Sequence, residues 1–166
     1  MKANELTEIL LIVDESGSMQ SLRSDTIGNL NKFIEEQKAI KGMARITIAT
    51  FDGGRKPYLK YICEGIDIQD CKNITSKDYS PNGGTPLFDA VGNSISNIVR
   101  TNATLKKTGK GVLTKQATRY VVAIITDGQE NASSEYKKES ISKLIKEKEV
   151  EGWNFVYLSA NADAFL

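Results

Sequence analysis

Two apolar stretches decide the fold, and each ends in an aspartate: Glu8–Asp14 has the sequence EILLIVD, and Tyr120–Asp127 has the sequence YVVAIITD. Neither stretch alternates apolar with polar residues, as a strand with one solvent-exposed face does. Short continuous runs of this kind are typical of strands that are buried on both faces of a parallel sheet. We therefore expect Asp14 and Asp127 at the carboxyl ends of two central strands.

The segments around these strands carry further helix and strand patterns. Ile27, Leu30 and Ile34 recur at helical spacing in the first of three predicted helices. The turn Asp52-Gly53-Gly54 predicts that the strands on either side of it pair as an antiparallel hairpin, and Pro57 marks the second of them as an edge strand. The predicted helices span residues 24–41, 85–101 and 134–149, the further strands span 44–51, 57–63 and 153–159, and the loops span 65–84 and 102–118.

The alternation of strands with helices predicts the fold class. Parallel strands need crossover connections, which the predicted helices provide. The expected fold class is α/β: a Rossmann-like, mostly parallel sheet with one antiparallel edge strand and helices on both faces. In open sheets of this class, ligands bind outside the carboxyl ends of the strands, where Asp14 and Asp127 are expected.

Composition excludes several kinds of site. The chain has 166 residues, with 22 Lys and Arg against 21 Asp and Glu, two cysteines and no histidine. Without histidine there is no Ser-His-Asp or Cys-His nucleophilic site and no HExxH zinc site. Cys63 and Cys71 alone cannot complete a structural zinc site, so a bound metal must be held mainly by oxygen. The near-zero net charge gives no general reason to expect nucleic acid or a membrane surface as a partner.

The expected location of the chain is the cytoplasm. Its apolar runs are far shorter than the ~20 residues that span a bilayer. The N-terminal residues before the first strand lack the order of charged, apolar and small residues that a signal peptide has. In a reducing compartment, Cys63 and Cys71 are expected to be free thiols.

Oxygen-bearing side chains follow three of the predicted elements. Asp14, Ser16 and Ser18 alternate along the first loop, so an extended loop would point all three the same way. Thr85 follows Gly83-Gly84 in a second loop, and Asp127 begins a third. Five hard oxygen donors with no soft ligand among them suit Mg²⁺ or Mn²⁺, with coordination positions left for water or a partner.

Each signal also has a plain structural explanation. The aspartate and serines of the first loop could simply close a hydrogen-bonded turn. Thr85 could be only a helix N-cap, and Asp127-Gly128 is a common turn. However, the predicted topology brings all three loops to one edge of the sheet, which favours a shared metal site at Asp14, Ser16, Ser18, Thr85 and Asp127.

Other polar residues near these loops are expected to have structural roles. Asp89 lies one turn into the second predicted helix and is expected to accept hydrogen bonds or to favour the helix dipole rather than bind metal. Asn131 and Ser133 are expected to cap the third helix. The basic stretch Lys106–Arg119 has no interleaved aromatic residues and is expected to be a solvated loop rather than a nucleic-acid site.

Three motifs together closely resemble a von Willebrand factor A (vWA) domain with an intact metal-ion-dependent adhesion site. They are Asp14-x-Ser16-x-Ser18, Gly83-Gly84-Thr85-Pro86 and Ile125-Thr126-Asp127-Gly128, in family order and spacing over nearly the whole chain. Ser16-Gly17-Ser18-Met19 and the stretch 127–133 are similar to the small stand-alone bacterial and phage type. The resemblance implies that Ser16, Ser18 and Thr85 coordinate through hydroxyls, and that the two aspartates bind directly or through water.

The resemblance also bears on the extent of the domain. We expect a single vWA-like domain over residues 1–166. Domains of this family usually continue with a further helix after the strand that matches Trp153–Ser159, whereas this chain stops at Leu166. The domain is then either minimal or lacks that helix, and apolar surface around Phe155 or Tyr157 is expected to be exposed.

Three functions are compatible with such a site. The leading hypothesis is a protein–protein interaction module, not an enzyme, whose bound Mg²⁺ or Mn²⁺ takes an Asp or Glu side chain from a partner protein; no nucleic acid and no membrane are expected as partners. One alternative is a metal-assisted phosphoryl hydrolase or transferase. It is disfavoured because an aspartyl-phosphate phosphatase needs an acid at Ser16, and no phosphate-binding glycine loop is present. Another is a structural or virion scaffold subunit whose metal only stiffens the loops.

Overall fold

The computed structural model of the protein describes residues 5–108 and 117–159. Five strands form one sheet in the order β3-β2-β1-β4-β5. The strands are β1 (Glu5–Asp14), β2 (Met43–Phe51), β3 (Leu59–Asp67), β4 (Ala117–Thr126) and β5 (Asn154–Ser159), and the helices are α1 (Arg23–Ala39), α2 (Leu87–Thr108) and α3 (Lys138–Val150).

The sheet is parallel except at one edge. β1 lies at the centre and pairs in parallel with β2 and β4, and β5 pairs in parallel with β4. Only β3 is antiparallel, because a short connection, residues 52–58, joins it directly to β2. The predicted fold class, an α/β Rossmann-like sheet with one antiparallel edge strand, is confirmed.

Alternating residues of β1 supply the two hydrophobic cores, one on each face of the sheet. Ile9 and Leu11 point to one face and pack with Leu30 and Ile34 of α1. Their neighbours Leu10 and Ile12 point to the other face, where α2 and α3 cover them through the buried residues Leu87, Val91, Ile95, Ile141 and Ile145. Because β1 is buried on both faces, its carboxyl end is held rigidly between two layers of helix.

Two predicted helix boundaries were wrong. α2 continues to Thr108 rather than ending near Thr101, since no glycine or proline occurs between Thr101 and Gly109 to stop it. Residues 102–108 are therefore helix, and residues 109–116 of the predicted connection lie outside the described residues. α3 begins at Lys138 rather than at Ser134, because the preceding segment is held outside the helix by Asp89.

The edge strand β3 is longer than predicted. Gly65 was expected to begin a loop, but the strand runs on to Asp67 through an irregularity in its register with β2. Gly65 has a φ of 57°, which glycine adopts without strain, and its amide donates to the Thr47 hydroxyl at 2.9 Å. The glycine therefore accommodates a bulge instead of ending the strand.

The outer strand β5 exposes apolar surface at Tyr157, as expected, but much less at Phe155. Phe155 is only half-exposed because it packs beside Trp153, with ring centroids 6.4 Å apart. Val156, Tyr157 and Leu158 are the exposed ones, at 44%, 37% and 53%. The residues after Ser159, where the family's further helix would begin, lie outside the described residues. None of the helices in the described part of the chain combines the length and the apolar character needed to cross a membrane.

Candidate metal site

Asp14 is fixed in place at the carboxyl end of β1. Its side chain is fully buried and accepts hydrogen bonds from Ser16 N at 2.8 Å and from the Thr126 hydroxyl at 2.6 Å. The carbonyl oxygen of Asp14 accepts a hydrogen bond from the hydroxyl of the buried Tyr79 at 2.6 Å. The carboxylate is thus oriented by β1's own loop and by the neighbouring strand β4.

The serines and Asp127 form a second group of oxygens beside Asp14. The Ser18 hydroxyl donates to Asp127 Oδ1 at 2.8 Å, and its oxygen lies 3.2 Å from Ser16 Oγ. Ser16 is 1% exposed, whereas Ser18 and Asp127 are open to solvent to a greater degree. The group is therefore closed towards the protein core and open on its outer side.

Gly128 marks the centre of the site. A Cβ atom placed on this residue would lie 3.2 Å from Thr85 Oγ1 and 3.5 Å from both Asp14 Oδ2 and Ser18 Oγ. The hydroxyl of Thr85, from a different loop, therefore faces the same small space as the oxygens of the first loop. The structure brings together all five residues predicted as metal ligands: Asp14, Ser16, Ser18, Thr85 and Asp127.

The loops are joined by their main chains. The hydrogen bonds that connect them include Gly17 N to Gly83 O at 3.0 Å, Asn82 N to Glu15 O at 2.8 Å, and Gly53 N to Gly84 O at 2.9 Å. Gly83 has a φ of 63°, and a Cβ there would collide with Gly54 N. This close approach of backbones is what requires glycine before Thr85.

Hydrogen bonds join the loop after β4 to the start of α2. Asn131 Oδ1 accepts from Thr85 N at 2.8 Å, and Glu130 and Ser133 accept from the amides of Phe88 and Asp89. The expectation that Asn131 and Ser133 cap α3 was wrong, since Ser133 binds an amide in the first turn of α2 and Asn131 binds the amide of Thr85, just before that helix. These amides have no partner within a helix, and side chains of another loop satisfy them here.

Asp89, on α2, accepts hydrogen bonds from the loop after β4 in return. Its buried carboxylate accepts hydrogen bonds from the amides of Ser134, Glu135 and Tyr136 at 2.8 to 2.9 Å. Asp89 is thus an acceptor that orders the loop after Asp127. This was one of the two structural roles expected from the sequence.

The site is electrostatically prepared for a cation. Burial raises the pKa of Asp14 above its ordinary value, and the nearby negative charge of Asp127 adds to the rise although hydrogen bonds from Ser16 and Thr126 oppose it. A nearby cation stabilises the ionised form of a carboxylate more when that carboxylate is buried beside another negative charge than when it is solvated. Within residues 5–108 and 117–159, no three Cys, Asp or Glu cluster as metal ligands do. The candidate donors are two carboxylates and three hydroxyls, which are hard ligands of the kind that Mg²⁺ and Mn²⁺ prefer.

Sequence reasoning gave no role to some residues that shape the site. Thr126 orients Asp14, and its signal was a polar residue at the end of an otherwise apolar strand. Tyr79 also supports Asp14, but it lies in a long irregular segment where no sequence pattern indicates a contact 65 residues away. Burial raises the pKa of Tyr79, so its hydroxyl stays protonated as a donor.

Solved structures of similar fold include those of two proteins. Proximal thread matrix protein 1 from the mussel byssus is 17% identical over 95% of this chain and 36% of its own, with a TM-score of 0.56. Manganese-loaded TRAP protein from Plasmodium vivax is 16% identical over 96% of this chain and 59% of its own, with a TM-score of 0.57. No protein-family model and no curated protein matches the chain.

Sequence identities this low show a shared fold and nothing further. The chain spans about a third of the length of proximal thread matrix protein 1 and about three fifths of the length of the TRAP protein. The fold expected from the three sequence motifs is nevertheless the one that these structures share with the chain. The metal site and the bacterial or phage type stay predictions. The chain has a von Willebrand factor A-like fold.

Proposed function

We propose that this protein is a binding module that uses a divalent cation, Mg²⁺ or Mn²⁺, to take an acidic side chain from a partner protein. The observation that carries the proposal is the arrangement of oxygens around Gly128, to which three separate loops contribute. A hydrogen-bonded turn needs partners from its own loop only, and the first amides of α2 bind Glu130 and Ser133 rather than these oxygens. Oxygens from three loops that face one small space favour a shared ligand.

Five residues offer oxygens that could hold such a cation. Ser16, Ser18 and Thr85 offer hydroxyl oxygens, and Asp14 and Asp127 offer carboxylates that would bind directly or through water. A bound cation would supply an electrophilic anchor for one more carboxylate oxygen. Since two carboxylates only balance a charge of +2, a third one is still attracted in a partly desolvated site. The manganese-loaded state of the Plasmodium vivax TRAP protein is in keeping with a divalent ion at such a fold.

Binding rather than catalysis is favoured by the chemistry of the site. A phosphoryl-transfer site of the aspartyl-phosphate type needs an acid where this chain has Ser16, and Ser16 Oγ lies against another hydroxyl, at 3.2 Å from Ser18 Oγ. A serine becomes a nucleophile when a general base activates it, and histidine, the commonest base, is absent from the chain. We therefore propose that the protein is not an enzyme.

Metal binding can be tested by titrating the purified protein with Mn²⁺ in a calorimeter. We expect about one ion per chain, and loss of binding in Asp14→Ala. Asp70→Ala is the matched control, because Asp70 is exposed in the short helical turn after β3 and lies outside the site. An unchanged isotherm in Asp14→Ala would refute the assignment of the site.

The open coordination position has its own test. In a protein with bound Mn²⁺ and an exchangeable water ligand, the relaxation rate of bulk water protons rises. A partner carboxylate that displaces this water lowers the rate again. Capture of a partner from native lysate in Mg²⁺, with release by chelator, provides the protein for this measurement. A partner that binds without lowering the rate would indicate that the metal only stiffens the loops.

A further inference from the structure

A buried carboxylate lies next to the candidate ligands in sequence but points away from them. The side chain of Glu15 is 1% exposed; its Oε2 accepts from Arg55 Nη1 at 2.8 Å, and its Oε1 accepts from Ser80 N at 2.6 Å and from Lys60 Nζ at 3.3 Å. Burial acts to raise its pKa, but hydrogen bonds from Thr50, Ser80 and Arg55 and the charge of Lys60 hold the pKa below its ordinary value. Glu15 is thus ionised at neutral pH, with partners on both oxygens.

The partners of Glu15 belong to different segments. Arg55 lies in the turn between β2 and β3, Lys60 lies on β3, and Ser80 lies in the loop that leads to Thr85. The main chain of Glu15 adds two hydrogen bonds: its amide donates to Phe51 O at 2.9 Å, and its carbonyl accepts from Asn82 N at 2.8 Å. One residue therefore connects the loop of Asp14 to the hairpin turn and to the loop of Thr85.

A second buried glutamate, Glu8 on β1, shows what Glu15 does beyond forming an ion pair. Glu8 is 3% exposed and lies 3.3 Å from Arg45 Nη1 of the adjacent strand β2. It lies seven positions before Glu15, near the amino end of β1, whereas Glu15 follows the carboxyl end of that strand. Both glutamates are buried and both pair with an arginine, but only Glu15 binds the loops that carry the candidate ligands.

We propose that Glu15 is a positioning residue for the metal site: it clamps the loop of Thr85 against the loop of Asp14, Ser16 and Ser18. The proposal rests on the proposed function, since it concerns the same site. Glu15 acts through the backbone of residues 80–85 and not as a ligand, because both of its oxygens face Ser80, Arg55 and Lys60. Loss of the clamp leaves Thr85 free to move away from the space beside Gly128.

The test compares Mn²⁺ affinity in four proteins: wild type, Glu15→Gln, Arg55→Gln and Glu8→Gln, each at a temperature where circular dichroism shows it folded. Glu15→Gln removes a negative charge near the site and Arg55→Gln removes a positive one. An effect of charge through space would therefore change their affinities in opposite directions. A clamp predicts that both variants bind Mn²⁺ at least tenfold more weakly, and that Glu8→Gln stays within twofold of wild type.

Amide hydrogen exchange provides a readout that needs no metal. In Glu15→Gln we expect the amides of Gly17 and Asn82, which join the two loops, to exchange at least tenfold faster than in wild type. The amides of α1 and those of the Glu8→Gln control should keep their wild-type rates. A general loss of stability would instead speed exchange throughout the sheet and equally in both glutamate variants.

The outcomes separate this proposal from the proposed function. Opposite changes in Mn²⁺ affinity in the Glu15 and Arg55 variants, or equal changes in the two glutamate variants, would overturn the clamp while leaving a metal site. If the wild type binds no Mn²⁺, the proposed function fails, and the exchange rates alone decide whether Glu15 joins the loops. Unchanged rates at Gly17 and Asn82 would overturn the clamp in either case.

Discussion

At the scale of single residues, Gly128 is the most direct probe of the site. Its φ is not among the positive values, so alanine fits its backbone, but the added methyl would occupy the space faced by Thr85 Oγ1, Asp14 Oδ2 and Ser18 Oγ. We expect Gly128→Ala to fold normally and to lose at least tenfold in Mn²⁺ affinity by calorimetry. A contact of 3.2 Å is relieved by a small shift of the Thr85 side chain. The free energy of unfolding should therefore change little, and the main effect should be on Mn²⁺ affinity.

Gly28→Ala is the matched control for this substitution. Gly28 is exposed in the middle of α1, and a Cβ placed there would have nothing within 4 Å. Because alanine has the higher helix propensity, this variant should gain about 1 kcal/mol in free energy of unfolding and keep its Mn²⁺ affinity. If both glycine variants bound the metal as the wild type does, the space beside Gly128 would not be a metal site.

The two cysteines allow a prediction about pH and reactivity. Both are free thiols in the structure. Burial, with a smaller contribution from the neighbouring Cys71, raises the pKa of Cys63 to about 12. Since the thiolate is the form that reacts, alkylation of Cys63 by iodoacetamide at pH 8 should be about a thousandfold slower in the folded protein than in urea. Labelling followed by mass spectrometry checks this, and equal rates would show that Cys63 is not shielded.

The candidate ligands could be predicted from the sequence for a local reason. Aspartate at the end of an apolar strand and serine at alternate loop positions are visible in the chain itself, and parallel topology brings such positions to one edge. Thr126, Tyr79 and Glu15 could not be assigned in this way. Their roles depend on hydrogen bonds to residues far away in the sequence, such as the 2.6 Å bond from the Tyr79 hydroxyl to Asp14 O.

At the scale of secondary-structure elements, α2 and the loop before α3 stabilise each other through Asp89. Its carboxylate accepts three backbone amides and is 2% exposed, so its removal leaves these donors without their partner. We expect Asp89→Ala to lower the free energy of unfolding by about 3 kcal/mol, since hydrogen bonds to charged groups are worth about 1.5 to 3 kcal/mol each and water can replace some of them. Urea unfolding measures the loss.

Amide hydrogen exchange in the loop before α3 should also respond to Asp89→Ala. In Asp89→Ala, the amides of residues 134–136 should exchange faster, and Mn²⁺ affinity should fall because this loop begins at Asp127. Asp70→Ala removes an exposed aspartate and should change stability by less than about 0.5 kcal/mol. If the exchange of residues 134–136 did not change, the segment would be held by something other than Asp89.

Two of the element boundaries that were predicted wrongly, the start of α3 and the end of β3, share one cause. Local propensity placed the start of α3 at Ser134, yet the amides of residues 134–136 donate to a carboxylate 45 to 47 residues earlier in the chain. In the same way, Gly65 would end a strand by propensity, but the Thr47 hydroxyl of the adjacent strand holds it in a bulge. Tertiary hydrogen bonds override the local preference in both places, and a single sequence does not reveal them.

At the scale of the whole molecule, Glu8 links stability to pH. Burial raises its pKa above the ordinary 4.5, although the charge of Arg45 acts against the shift. The folded state therefore holds this proton more tightly than the unfolded state does. The associated stability is fully present below about pH 4.5 and is lost as pH rises through the folded-state pKa. Relative to Glu8→Gln, the wild type should lose free energy of unfolding between pH 4 and pH 7.

This comparison isolates one carboxylate. Glu8→Gln also leaves Arg45 without its charged partner, but that effect is constant over the range because arginine does not titrate there. Urea unfolding of both proteins at pH 4, 5, 6 and 7 gives the difference directly. A difference that stayed constant or changed in the opposite direction would mean that Glu8 titrates in the folded protein at or below its ordinary pKa.

The last prediction concerns how metal and partner act together across the molecule. Thr85 comes from a different loop than the two serines, and water can replace its hydroxyl on a cation that is still open to solvent. When a partner covers the site, that water is confined and the partner's carboxylate depends on the remaining ligands. We therefore expect Thr85→Ala to weaken partner binding more than it weakens Mn²⁺ binding in the free protein. Calorimetry with Mn²⁺ alone, and then with the partner captured in Mg²⁺, gives the two losses.

Thr104→Ala, an exposed threonine on α2, is the control that should change neither. Equal losses would mean a rigid, preformed site in which Thr85 acts only on the metal, and partner binding that persists in chelator would remove the metal from the mechanism.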